Sequence, residues 1–222
     1  MHIGLIGGIG VASTDFYYRN LVAEMQRRGR DLDMTIVHAD APSLLANFLA
    51  NRQDAQAGVF AGLTERLKRA GAGCVAISSI GGHFCVEPFK ALSVLPVVDL
   101  REAIATRLKS QEFEKVGILG TNTAMQTGLY GYLKMEVLTP EGGALQQVHQ
   151  AYVDMALAAH VTDSQRQMFF DAGRDLADRG AETVLLGGTD LFLAFDGQDP
   201  GFPTIDGAQI HVEALAELAS AS

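Results

Sequence analysis

Short apolar runs punctuate the chain, each closing on small or polar residues: Ile3–Ile6, Met34–Val37, Cys74–Ile77, Leu95–Val98, Val116–Leu119 and Val184–Leu186. They are rich in β-branched residues and do not alternate with polar ones. That pattern suits strands covered on both faces, as in a parallel sheet, better than strands with one wet face. Longer stretches with helical spacing separate them: Thr14–Arg28, Gln56–Arg69, Leu100–Ser110, Gln126–Met135, Gln146–Ala159 and Gln165–Asp178. Gly29 and Gly180 stand where a helix should stop, and Ser13 or Thr14 where one should start. The segment containing Pro42 reads as a long loop. Strand and helix in alternation predict an α/β fold with right-handed crossovers.

The pattern also repeats. Gly4-Leu5-Ile6-Gly7-Gly8 returns as Gly117-Ile118-Leu119-Gly120-Thr121, and Ala76-Ile77-Ser78-Ser79-Ile80-Gly81-Gly82 is echoed by Leu185-Leu186-Gly187-Gly188-Thr189-Asp190. This predicts two pseudo-symmetric halves, each a mostly parallel sheet flanked by helices. Residues 1–98 form the first and 99–222 the second, with the C-terminal segment packing back on the first. Each half offers two strand-end corners of small residues, and ligands of open α/β sheets bind at such carboxyl ends. A pocket between the halves, fed by all four corners, is the expectation.

Composition narrows the chemistry. A formal net charge of −9 argues against nucleic acid, which calls for basic faces, and against a polybasic membrane anchor. The two cysteines, Cys74 and Cys85, show no metal or disulfide spacing, so a reducing compartment fits and no metal site is expected. The opening MHIGLIGGIG lacks the basic and long apolar regions of a signal peptide. No uncharged apolar run approaches the ~18 residues of a membrane span. A soluble, cytoplasmic protein is expected.

At the glycine-rich corners the sequence resembles the cofactor-independent aspartate/glutamate racemase superfamily. GLIGGIGVASTDFYYRNL looks like its first strand, glycine turn and helix, and Lys115–Tyr130 (KVGILGTNTAMQTGLY) like the start of its second half. Gly180–Leu191 (GAETVLLGGTDL) is similar to its late strand, and Pro203–Glu213 (PTIDGAQIHVE) to its C-terminal signature. The four motifs come in the family's order and spacing. The resemblance implies isomerase chemistry at the α-carbon of a small acidic amino acid, without pyridoxal phosphate or any other cofactor, in a protein that is commonly a homodimer. One thiol takes the α-proton and a second thiol delivers one to the opposite side. Cysteine suits this because its pKa of about 8.5 is readily lowered.

Neither thiol is in place. Alignment on the first motif puts Ser79 at the first catalytic position, with Ile80 and Gly81 where the family has Asn and Thr. Gly188 occupies the second catalytic position. A hydroxyl ionises less readily than a thiol, and glycine carries no proton at all. Gly188 in place of a thiol is also expected to enlarge the pocket, admitting a bulkier acid. Cys74, inside an apolar run, reads as a buried structural thiol. Cys85, two residues beyond His83, is a candidate thiol at the pocket rim, unless a helix starting there turns it from the corner.

What remains is an acid–base set of Asp190, His83 and Cys85, beside donors for a carboxylate. His83 falls on the family's own histidine after the first motif. Ser78, Ser79, Thr121, Asn122 and Thr189 offer side chains, and Gly8, Ile9, Gly81 and Gly82 offer amides that can form an anion-binding nest. Each hydroxyl has helix capping as its alternative. Arg52 is a candidate carboxylate clamp or a surface residue. Asp206 and His211 either orient one another or cap the C-terminal helix.

Three functional readings stay open: a racemase-like isomerase, a repurposed enzyme of the decarboxylase or cis–trans isomerase type, and a non-catalytic small-carboxylate binder. A fourth, nucleotide binding, rests on Gly8-Ile9-Gly10-Val11-Ala12-Ser13 and Asp40, but the third glycine of the dinucleotide fingerprint is missing.

Overall fold

The computed structural model describes residues 1–221 and divides them into two compact units, Met1–Leu100 with the described residues from His211 onward, and Arg101–Ile210. Unit 1 runs β1 (Ile3–Gly7), α1 (Val11–Arg27), β2 (Met34–His38), α2 (Ala41–Leu49), α3 (Gln53–Arg69), β3 (Cys74–Ile77), a 3-10 turn (Gly81–Cys85), α4 (Val86–Leu92) and β4 (Val97–Val98). Its four strands are parallel in the order β2-β1-β3-β4. Every residue of β1 and β3 is buried, which is why both read as unbroken apolar runs. Ile6, Val75 and Ile77 pack with Phe60, Leu67 and Phe89 in one apolar cluster, and the Phe60 and Phe89 rings meet edge-on at 5.5 Å.

Unit 2 repeats the strand order. After α5 (Leu100–Ser110) come β5 (Lys115–Leu119), α6 (Asn122–Gln126), α7 (Gly128–Gly131), β6 (Glu136–Leu138), α8 (Gly143–Ala158), α9 (Asp163–Asp178), β7 (Thr183–Leu186), α10 (Phe192–Phe195) and β8 (Thr204–Asp206). The order is β6-β5-β7-β8, again all parallel. The last helix, α11 (Gly207–Ser220), starts in unit 2 and from His211 belongs to unit 1, where Met1 donates its terminal N–H to the Ala219 carbonyl at 3.0 Å. Among the described residues, no helix is long and apolar enough to cross a membrane.

Several local expectations change. The region of Pro42 is a helix, not a loop: Asp40 caps α2 by accepting from the Ser43 N–H at 2.9 Å, and proline is tolerated in a first turn. α1 starts at Val11, ahead of Ser13 and Thr14, because the hydroxyls of both turn back to the Gly10 carbonyl. The helix expected over Gln126–Met135 breaks after Gln126, where Leu129 and Tyr130 take positive φ. The strand expected over Leu95–Val98 keeps only Val97–Val98. β6 and β8 carry no apolar run, being three-residue edge strands that are only partly buried. Gly29 and Gly180 do follow the ends of α1 and α9, with φ of 64° and 96°.

Candidate functional site

Register places the first motif of each unit in equivalent positions. Ile6 pairs with Ile77 and accepts the Ser78 N–H, while Leu119 pairs with Leu186 and accepts the Gly187 N–H. Ser79 and Gly188 are therefore the next residues along in each unit, the same step past the sheet.

In unit 1 this corner is heavily cross-braced. The Thr14 hydroxyl donates to the Gly10 carbonyl at 2.8 Å and accepts the Gly8 N–H at 2.9 Å. Ser13 donates to the Ser78 carbonyl at 2.7 Å, and the Ser78 hydroxyl lies 3.2 Å from that of Thr14 and 3.3 Å from the Ile6 carbonyl. Ser78 thus bonds the two strand ends together. The Gly82 N–H is likewise used internally, on the Ser79 carbonyl at 3.2 Å. Gly8 has φ of 95°, and a Cβ there would fall 2.3 Å from His38 Nδ1, so the turn requires glycine.

Behind Ser79 sits a buried charged cluster. His83 Nδ1 lies 2.8 Å from the Ser79 carbonyl; a carbonyl only accepts, so Nδ1 carries a proton. Its Nε2 faces Asp99 Oδ1 at 3.8 Å, and the other oxygen of Asp99 receives Lys90 Nζ at 2.7 Å. His211 closes the cluster from α11. Its Nε2 donates to the Val98 carbonyl at 3.0 Å, which leaves Nδ1 to accept the Tyr17 hydroxyl at 2.8 Å. Burial, and then the neighbouring His83 charge, push the His211 pKa down to about 3. Asp206 does not orient His211. It caps α11 by accepting the N–H groups of Ala208 and Gln209, and desolvation raises its carboxyl to about 6.

The cysteines do not compensate for the missing thiols. Cys74 is buried in β3. Cys85 ends the 3-10 turn fully buried, its Sγ 3.5 Å from the Gly82 carbonyl, and burial pushes its thiol up to about 12. A thiol so far from ionising is no base at neutral pH.

In unit 2 the two strand ends touch backbone to backbone: a Cβ on Gly120 would meet Gly188 N at 3.1 Å. α8 lies beside them and carries Gln146, His149 and Tyr152 at three-residue spacing, of which only Tyr152 is buried. Thr121 caps α6 by accepting the Ala124 N–H. Asn122 donates its backbone N–H to His149 Nδ1 at 3.2 Å and its side-chain amide to Gln146 Oε1 at 2.8 Å. Because Nδ1 accepts, the His149 proton sits on Nε2, and burial lowers the pKa of this ring, so it is neutral at pH 7.

Gly188 does not open the corner. An ideal Cβ on it would stand 2.3 Å from Tyr152 Cε2 and 2.7 Å from Cζ, so the tyrosine ring already fills the space where a side chain would begin. The expected enlargement is absent for that reason. The Tyr152 hydroxyl donates to Asp190 Oδ2 at 3.2 Å, and the Thr189 hydroxyl lies 3.5 Å from the same oxygen. Asp190 is 2% exposed and Tyr152 5%. Burial first, and then the Asp190 charge, hold the phenol's pKa well above its usual 10, so it keeps its proton and acts as a donor.

Unit 1 therefore gathers Gly8, Ile9, Ser78, Ser79, Gly81, Gly82 and His83 near one corner; unit 2 gathers Thr121, Asn122, Gly188, Thr189 and Asp190. Arg52 is set apart, exposed at the start of α3 with no capping bond from its side chain. Sequence reasoning missed Tyr152, His149 and Gln146. The spacing Gln146-x-x-His149-x-x-Tyr152 was their available signal, a polar row running from the exposed side of the helix at Gln146 to its buried side at Tyr152. Asp99 and Lys90 carried no signal of their own.

Paired parallel βα units, each with a glycine-rich turn at its central strand ends, define a class of α/β proteins whose ligands meet strand carboxyl ends. The family model of Asp/Glu/hydantoin racemases matches residues 6–215, and the chain belongs to that family. Among solved structures, a Yersinia pestis protein classed with the Asp/Glu racemases is 25% identical, with a TM-score of 0.86 over 99% of this chain and 100% of its own. An aspartate racemase homologue from Pyrococcus horikoshii is similar in fold at 23% identity and a TM-score of 0.81, covering 99% of each chain. Picrophilus torridus aspartate racemase matches at 17% identity and a TM-score of 0.75, over 99% of this chain and 95% of its own.

Proposed function

We propose that the protein takes a small amino acid or related carboxylate and works at its α-carbon through the Asp190 carboxylate, without pyridoxal phosphate and without thiol exchange. The observation that carries this reading is the setting of Asp190, two residues past Gly188 at the end of β7, buried yet supplied with hydroxyls from Tyr152 and Thr189. Hydrogen bonds to a carboxylate favour its charged form and so offset the cost of burial. An ionised, oriented carboxylate is a general base. Ser79, at the equivalent step of unit 1, has a hydroxyl suited to holding a ligand oxygen rather than to taking a proton. His83 holds the Ser79 backbone in place through its carbonyl. One base without a second acid exchanges the α-proton with solvent, whereas full inversion needs a proton delivered to the opposite face.

The test is α-proton exchange in deuterium oxide, followed by NMR, with both enantiomers of aspartate and glutamate. Deuterium at the α-carbon that is lost in Asp190→Asn and kept in Cys85→Ser supports the reading. Exchange that survives Asp190→Asn overturns it. A binding-only role is favoured by the absence of an ionisable thiol at either corner. It is recognised by saturable carboxylate binding in calorimetry with no exchange.

A further inference from the structure

The Gly188–Tyr152 contact and the Tyr152–Asp190 hydrogen bond are two ends of one side chain, and together they suggest how this corner works without its thiol. A Cβ at position 188 and the Tyr152 ring cannot both hold these positions, since the ideal Cβ falls 2.3 Å from Cε2, so a side chain there would have to displace the ring. Glycine there admits the ring edge, and that depth of insertion brings the hydroxyl to Asp190 Oδ2. We propose that Tyr152 is the positioning residue of the unit 2 corner, occupying the thiol's volume and fixing the Asp190 carboxylate by donating its hydroxyl. The inference rests on the reading of Asp190 as the base.

The geometry favours this role over that of a plug. A ring that only filled space would need no polar partner, and phenylalanine would serve as well. The phenol keeps its proton beside the carboxylate, so it remains a donor throughout and is not itself the group that takes the α-proton. Two hydroxyls lie on Asp190 Oδ2, that of Tyr152, from α8, at 3.2 Å and that of Thr189, from the β7 corner, at 3.5 Å, so Tyr152 is the nearer of the two. Removing the nearer donor should cost the carboxylate more of its stabilisation.

Tyr152→Phe keeps the ring in the Gly188 space and deletes only the hydroxyl, so the packing survives. The measurement is the carboxyl carbon titration of Asp190 by NMR, assigned by its loss in Asp190→Asn. In Tyr152→Phe the Asp190 midpoint should rise by about one pH unit, with a smaller rise in Thr189→Val. The low-pH limb of α-proton exchange should move by the same amount. An Asp190 titration unchanged in Tyr152→Phe, with the unfolding midpoint also unchanged, overturns the proposal. If the titration moves while wild-type protein exchanges no carboxylate, the Tyr152–Asp190 pairing stands and the reading of Asp190 as a substrate base fails.

Discussion

The ring of Tyr152 lies where a side chain on Gly188 would begin, 2.3 Å from the ideal Cβ position, so the identities of these two residues are tied together. Gly188→Cys alone should therefore overpack the corner and cost about 1–3 kcal/mol, read as a lower urea midpoint. Tyr152→Ala alone should cost stability by leaving a cavity. Combined, the thiol enters the space the ring has left, and the double variant should be more stable than the sum of the single effects by about 1 kcal/mol or more. Additive losses would mean that the two side-chain volumes do not compete.

His211 should give the protein a marked acid sensitivity. It titrates at about 3 when folded, against 6.5 for an ordinary histidine, so the unfolded chain binds its proton first as pH falls. Its contribution to stability is complete above about pH 6.5 and is lost progressively toward pH 3, on the order of 1 kcal/mol per pH unit. Asp206 acts oppositely: its carboxyl is raised to about 6, so its contribution is present at low pH and is lost as pH rises through 6. Comparison of unfolding midpoints across pH should show a flatter acid limb for His211→Gln than for wild type, and a steeper one for Asp206→Asn.

Both thiols should be silent in the folded protein. Cys74 and Cys85 are buried, and burial raises the pKa of each. A thiol-reactive dye at neutral pH should label neither until denaturant unfolds the chain. Rapid labelling of native Cys85 would return it to the list of bases.

Asp40 tests whether the first glycine turn serves a nucleotide. It caps α2 through Ser43, whose hydrogen bonds hold its carboxyl below the usual range. Asp40→Ala should lower the unfolding midpoint and Asp40→Asn should largely restore it, since both Asp and Asn cap helices. Titration with a nicotinamide dinucleotide should show no saturable binding.

The sequence by itself determined the alternation of elements, the duplication and the family. Those features depend on local rules: fully buried strands need unbroken apolar runs, helices need their periodicity and end signals, and turns such as the one at Gly8 need glycine. It also located Ser79 and Gly188, because motif order survives without any structure. Tertiary structure alone decided what those positions mean. Three-residue edge strands β6 and β8 draw their stability from a neighbour's hydrogen bonds, so they leave little trace in hydropathy. Tyr152 is thirty-six residues before Gly188 in the chain, and only the packing of α8 on the ends of β5 and β7 brings its ring into that space. The same holds for Asp99 and Lys90 around His83: charge and burial at a site are sums over residues distant in sequence, and no local pattern records them.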